Sequence, residues 1–328
     1  MEAAKNQNFE ARLEPHRRAI ILHCYRMLGS LQDAEEAAQE SLLRAWQRLH
    51  ELEDAGAAKA WLYRIATNVC LDLLKKAKRR RRALPFLTGP AADPAAPWAA
   101  PAPESAWIEP APDLLLDVAD DADRRPDARV SLRESVGLAF VTALQFLPAK
   151  QRAALLLVDV LGWKPQEAAH LLGVSMAATS SLLQRARRTV AQRNPAEAAP
   201  HVDDDRLLQR YITTWESRDL EAFAALLAED AVLSMPPQAE WYAGREAILR
   251  FLGRVLTDPG RRYRSLITRA NGGPAAAVYV STAGGPFLAT AINVLSFRNG
   301  QVARMTRFTS ARLFRPFGLP AQLTDAGA

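Results

Sequence analysis

Between Lys59 and Arg82 the sequence interleaves rings with cations. Lys59, Trp61, Tyr63, Arg64, Thr67 and Asn68 lead into Lys75, Lys76, Lys78 and the run Arg79-Arg80-Arg81-Arg82. A cation that meets a phosphate releases counterions, which makes binding salt-dependent. An exposed ring lets an unpaired base stack, at roughly 1–3 kcal/mol per base. Together they suit opened DNA better than duplex. On spacing alone, a core Trp and Tyr with a solvated charged tail reads equally well.

A second cluster lies at Ser175, Thr179, Ser180, Ser181, Gln184, Arg185, Arg187 and Arg188. Trp163-Lys164-Pro165 opens a short helix with Pro in its first turn. Gly173-Val174-Ser175 is a turn in which Gly supplies positive φ and Ser caps the next helix. Such a pair of helices can present its second member to the major groove, small polar residues towards bases and arginines towards phosphates. A third cluster, Asp33, Glu36, Gln39, Glu40 and Arg44, lies opposite an apolar stripe of Ala34, Ala38, Leu42, Ala45, Trp46 and Leu49. By pattern alone it is a solvated helix face.

The chain has 328 residues, 49% hydrophobic and 24% charged, with a formal net charge of +6. That predicts two or three soluble domains. Cys24 and Cys70 sit in apolar helical stripes, and no CxxC or close Cys/His set suggests a disulfide framework or a metal site. No cofactor and no metal is expected. The polar start shows no signal peptide and no apolar run spans a bilayer, so no membrane association and a cytoplasmic location are expected.

Helical periodicity covers about 9–82 and 130–193. Ser30-Leu31-Gln32-Asp33 starts a helix as a capping box does. Leu62, Ile65, Ala66, Val69 and Leu73 form the buried stripe of another. Residues 83–129 are rich in Pro and Ala and then acidic (Glu104, Glu109, Asp113, Asp117, Asp120, Asp121, Asp123, Asp127), which predicts an extended, poorly packed linker with a local docking point at Trp107–Pro110. Residues 203–320 begin as helices and turn to strands at Ala276–Ser281 and Ala289–Arg298, with a hairpin at Asn299-Gly300.

Tyr25–Ser30, Asp33–Trp46 and Ala60–Cys70 resemble region 2 of extracytoplasmic-function (ECF) sigma-70 factors. Leu147–Ala153 and the helix pair through Arg188 resemble region 4. The resemblance implies two all-α domains. It implies that the Asp33–Trp46 helix binds the clamp helices of the polymerase β′ subunit, and that region 4 meets the β flap. It further implies that the Trp61–Asn68 helix and its surroundings, including Lys59, Lys75 and Lys76, bind and melt the −10 element. The Ser175–Arg188 helix would read the −35 element. The linker would thread the active-site and RNA-exit path. Ser180 and Leu182 stand where many members carry Lys or Arg, so direct base readout is expected to be thin.

Leu207–Tyr211, Trp215–Leu220, Leu226–Pro237 and Trp241–Arg245 are similar to the SnoaL-like, NTF2-like α+β cone. The resemblance implies an enclosed pocket, for which Trp215, Met235, Trp241 and Tyr242 are the candidates. Ketosteroid-isomerase-like members place a general-base Asp just before a Pro where this chain has Met235. Met cannot take a proton, so no catalytic residue and no enzyme activity is expected. The expected role of this domain is regulation through a small-molecule or protein ligand. Two alternatives stay open: a ligand-responsive DNA-binding regulator acting without core polymerase, and an isomerase or cyclase fused to a DNA-binding segment.

Overall fold

The computed structural model describes residues 12–52, 54–76, 82–115, 135–193 and 204–324. Lys78–Arg81, Asp117–Asp127, Asn194-Pro195 and His201 lie outside them. The chain forms two compact units, Met1–Arg82 with Leu114–Pro195, and Ala83–Asp113 with Ala196–Ala328.

In the first unit, α1 (Arg17–Leu28), α2 (Leu31–Gln47) and α3 (Ala58–Lys76) pack on one another. Gly29 ends α1 at φ +72°, with its N–H on the Tyr25 carbonyl. Ser30 then caps α2 by accepting from the Asp33 amide at 3.2 Å. On α2, Ala34, Ala38, Leu42 and Ala45 are buried at helical spacing. On α3, Leu62, Ala66, Val69 and Cys70 are buried, while Ile65 and Leu73 of the expected stripe are partly covered. Both cysteines are buried and unbridged.

The helices α4 (Leu138–Gln145), α5 (Ala149–Leu155), α6 (Pro165–Leu172) and α7 (Met176–Arg193) complete this unit. Between α6 and α7, Gly173 sits at φ +60° and the Ser175 hydroxyl accepts from the Ala178 amide. Leu172, Leu183 and Ala186 are buried where the two helices cross. The last turn of α1 is tied to this group. Arg152, 5% exposed, donates to the Met27 carbonyl and to Gln145 Oε1 at 2.6 Å. Gln145 Nε2 donates to the Arg26 carbonyl at 3.3 Å, and Arg26 Nη2 to Ser135 Oγ at 2.8 Å. Those carbonyls have no partner within their own helix. A Cβ on Gly29 would come within 2.9 Å of the Gln145 side chain, so Gly permits the close approach as well as the turn.

The second unit lays α8 (Asp204–Ser217), α9 (Leu220–Leu226) and α10 (Arg245–Leu256) on a mixed sheet. The strands are β1 (Leu227–Ser234), β2 (Trp241–Ala243), β3 (Arg261–Ala270), β4 (Gly273–Thr282), β5 (Phe287–Arg298), β6 (Gln301–Phe308) and β7 (Gln322–Leu323). Their order is β2-β1-β6-β5-β4-β3 with β7 on β5; β1 and β6 run parallel and the other neighbours antiparallel. Asn299 and Gly300 form the β5–β6 turn at φ +52° and +74°, the pair of positive values that a two-residue hairpin needs.

Residues 83–113 are not the extended, poorly packed linker that composition predicts. They belong to this second unit, with Ala83, Leu84, Trp107, Ile108 and Ala111 buried. Trp107 Nε1 donates to the Pro237 carbonyl at 3.1 Å. The Ala111 and Asn271 backbones pair across Pro112 and Ala270, and the Asn271 side chain accepts from the Ala111 amide at 3.0 Å. Linker acids take cations of the cone: Glu104 and Glu109 meet Arg312, and Asp113 meets Arg269. A segment that satisfies its backbone and charges against a folded surface stays ordered without a hydrophobic period of its own.

Candidate functional site

On α3, Ala60, Arg64, Asn68, Asp72, Lys75 and Lys76 are exposed, with Lys59 and Trp61 partly covered. Tyr63 and Thr67 do not belong to this face. Tyr63 is 5% exposed and meets the His23 ring edge-on at 5.2 Å. The Thr67 hydroxyl donates to the Tyr63 carbonyl at 2.7 Å and accepts from His23 Nε2 at 2.9 Å. This fixes the proton of His23 on Nε2. Burial, with Arg26 beside it, lowers the His23 pKa to about 3, so the ring is neutral. The exposed and partly covered polar residues of α3 are therefore one aromatic ring, an amide, cations and the Asp72 carboxylate.

On α2, Glu36 and Gln39 are exposed. Arg44 pairs with Glu40 at 2.7 Å and lies 3.9 Å from Asp72. Asp33 is not a free surface acid: it holds the 7%-exposed guanidinium of Arg82 at 2.7 Å. That pair ties the end of the α3 basic run to the start of α2. Leu43 is 49% exposed beside Gln39 and Glu40 and went unread in the sequence. An apolar side chain rimmed by polar ones is how an interface core begins.

On α7, Ser175, Ser180, Ser181, Gln184, Arg185, Arg187 and Arg188 are exposed, and Thr179 is not. Thr179 is fully buried with its hydroxyl on the Ser175 carbonyl at 3.1 Å, so it packs the turn instead of facing DNA. Arg187 forms two bonds to Asp159, at 2.9 and 2.7 Å, which raise its pKa further. Among the described residues, Arg185 and Arg188 make no ion pair.

The cone residues divide. Trp215, Met235 and Tyr242 lie in the core cluster of the second unit, Tyr242 stacked on Phe251 at 4.5 Å. Trp241 faces the linker segment, ring to ring with Phe86 at 6.4 Å and with Nε1 on the Gly89 carbonyl at 3.0 Å. Polar side chains of the cone are taken up by other groups of the cone. Asp230 pairs with Arg298, Glu216 accepts from the Ser265 amide at 2.6 Å, and Arg245 donates to the Leu227 carbonyl at 2.9 Å. No helix among the described residues is long and apolar enough to cross a membrane.

The chain thus combines a helical unit carrying a basic aromatic helix and a helix-turn-helix with an α+β cone. Profiles of known families match in the same order: Sigma-70 region 2 at residues 13–80, Sigma-70 region 4 at 137–190, and the SnoaL-like domain at 208–305. The chain belongs to the ECF RNA polymerase sigma factor family. It is 43% identical over 327 residues to ECF RNA polymerase sigma factor SigG of Mycobacterium tuberculosis, covering 96% of this chain and 85% of that one. It is 26% identical over 304 residues to SigJ of the same species, covering 89% and 88%. The crystal structure of M. tuberculosis SigJ shares its fold, with a TM-score of 0.60 at 20% identity over 95% of this chain and 99% of that one.

Proposed function

We propose that this sigma factor binds core RNA polymerase through Glu36, Gln39, Glu40, Leu43 and Arg44 of α2. Region 4 meets the β flap, and α2 meets the β′ clamp helices. Lys59, Trp61, Arg64, Asn68, Lys75 and Lys76 take the opened −10 strand. Ser180, Ser181, Gln184, Arg185 and Arg188 take the −35 duplex. The reading rests on one observation: two polar faces of different chemistry, one bearing an aromatic ring and one small-polar, stand on separate helices of one unit. Unpaired bases stack and duplex edges hydrogen-bond, so the two faces suit the two states of promoter DNA. The chain acts in the cytoplasm, where polymerase and DNA are found.

The cone regulates and does not catalyse. Met235 stands where a proton acceptor would be needed, and Asp230 is committed to Arg298 at the surface. Its grip on residues 83–113 gives it a handle on the segment that joins the two readers. A ligand of the cone is the regulatory input. The test is transcription with core polymerase and start-site mapping, full-length chain against a chain ending at Pro200. The full-length chain should initiate at defined sites. The shortened chain should still bind core polymerase, with altered activity. Tight duplex binding without core would favour a stand-alone regulator instead.

A further inference from the structure

Among the described residues, Arg307 of the cone is a cation with no acid to answer it. Arg307 of β6 and Asn293 of β5 are cross-strand partners. Alternation along β6 puts Arg307 on the same side as Met305, the side covered by α8. Arg307 Nη1 donates to Asn293 Oδ1 at 3.1 Å, Asn293 Nδ2 donates to the Tyr211 hydroxyl at 2.8 Å, and that hydroxyl donates to Met305 Sδ at 2.8 Å. The chain of bonds fixes the guanidinium over the ring of Trp215, 5.1 Å from its centre.

Arg269, Arg298 and Arg312 in the same unit lie at the surface, and each has a carboxylate partner. Arg307 has none among the described residues. It keeps some accessible surface, yet the protein around it is dense enough for desolvation to pull its pKa below the ordinary arginine value. Arg307 is thus neither sealed in the core nor free at the surface. Trp215, 2% exposed, makes the second observation: its Nε1–H has no acceptor. A buried donor without an acceptor is costly, and so is a buried charge without a counter-charge. Guanidinium N–H groups left over and an indole N–H left over, on two residues in contact, call for one kind of group, an acceptor that carries negative charge.

We propose that Arg307 and the Trp215 N–H mark a recess that binds a small organic monocarboxylate with a flat apolar body. One cation matches one negative charge. A phosphate dianion would bring a second charge into a surround made by Tyr211, Trp215, Phe223 and Tyr263, where no second cation among the described residues is paired with these rings. A planar carboxylate fits the guanidinium fork, and a flat apolar body suits surroundings made of rings. This deepens the reading of the cone as the ligand-tuned part of the chain and rests on that reading.

The experiment uses the full-length chain without polymerase, titrated calorimetrically with 2-naphthoate and with neutral 2-naphthamide, which has nearly the same shape. Naphthoate should bind at least about tenfold more tightly and raise Tm, as a ligand of the native state must. Arg307→Met keeps volume and removes the charge. It should bring the two probes to equal affinity, and Arg307→Lys should restore part of the difference. Trp215→Phe keeps a ring, removes the N–H donor and should weaken naphthoate more than naphthamide. Inorganic phosphate should neither compete nor raise Tm. Equal affinity of the two probes for the unmodified chain overturns the proposal, as does absence of naphthoate binding at millimolar concentration. Competition by phosphate overturns the carboxylate assignment. Because no transcription enters these measurements, a chain that binds naphthoate yet fails to initiate would refute the promoter reading alone.

Discussion

Arg152 and Gln145 lie seven residues apart around the α4–α5 corner and act as one clamp. Arg152 Nη1 donates to Gln145 Oε1 at 2.6 Å, and each side chain then reaches a carbonyl in the last turn of α1. A cation at the negative end of a helix is favourably placed, and here it also satisfies groups the helix leaves open.

Arg152→Ala should therefore loosen the first unit. Buried carbonyls left without donors cost about 1–3 kcal/mol each. The expected result is a Tm lower by several degrees and a larger radius of gyration in solution scattering. A more conservative Arg152→Lys should recover part of the Tm. Unchanged scattering and Tm would show that the clamp contributes nothing.

His23 gives a pH dependence of definite sign. Its folded pKa, about 3, lies below the ordinary value of 6.5. Between these values the unfolded chain binds a proton that the native chain refuses. Stability is thus unaffected by His23 above pH 6.5 and falls as pH drops below it, by about 2 kcal/mol between pH 6.5 and 5. Chemical denaturation at pH 7, 6 and 5 should show this slope, and His23→Gln should flatten it by about one proton.

The two aromatic residues of α3 should separate. Trp61→Ala should weaken binding of the holoenzyme to single-stranded −10 DNA by roughly 1–3 kcal/mol. Tyr63→Phe keeps the ring against His23 and should leave that binding unchanged. Equal effects on single-strand affinity would contradict the assignment of Tyr63 to the core.

The arginines of α7 should differ in salt response. Arg188→Ala should reduce the slope of log affinity against log salt by about 0.9, the loss of one phosphate contact. Arg187→Ala should change it less, because Arg187 is held by Asp159. Asp159→Asn should release that arginine and steepen the slope. Identical slopes for Arg187→Ala and Arg188→Ala would remove the distinction.

Residues 83–113 should resist proteolysis in the full chain and be cut after truncation at Pro200, which uncovers Trp107, Ile108 and Ala111. The cleavage sites, read by mass spectrometry, check this. Equal resistance in both chains would mean that the segment is ordered by itself.

Much of this architecture was legible because period and punctuation agree. Ser30 as a cap, Gly173 at the turn and Asn299-Gly300 at the hairpin each mark one boundary. The misreadings have specific causes. Helix α3 packs against both α1 and α2, so its buried arc is wider than one stripe and takes in Tyr63 and Thr67. The linker segment is ordered by bonds to distant loops, which no local pattern announces. A bulge hides the Asn293–Arg307 pairing from the sequence. Counting back from Arg298↔Gln301 would oppose Asn293 to Thr306, but the register shifts between Ser296 and Phe297 and brings Arg307 there instead.

The clamp between α1 and the α4–α5 corner also sets a length. A compact chain the size of the first unit has a radius of gyration of about 15 Å. Two promoter elements some 25 base pairs apart, as their names place them, lie about 85 Å from each other along a duplex that rises about 3.4 Å per base pair. One clamped unit is too short to read both. If α3 and α7 read the two elements as proposed, the clamp opens on the promoter, and the bonds that steady the isolated chain also hold down the fraction of molecules competent to span it. If the clamp is worth about 3 kcal/mol, that fraction is of order one in a hundred, and apparent affinity for any partner requiring the open form falls in proportion.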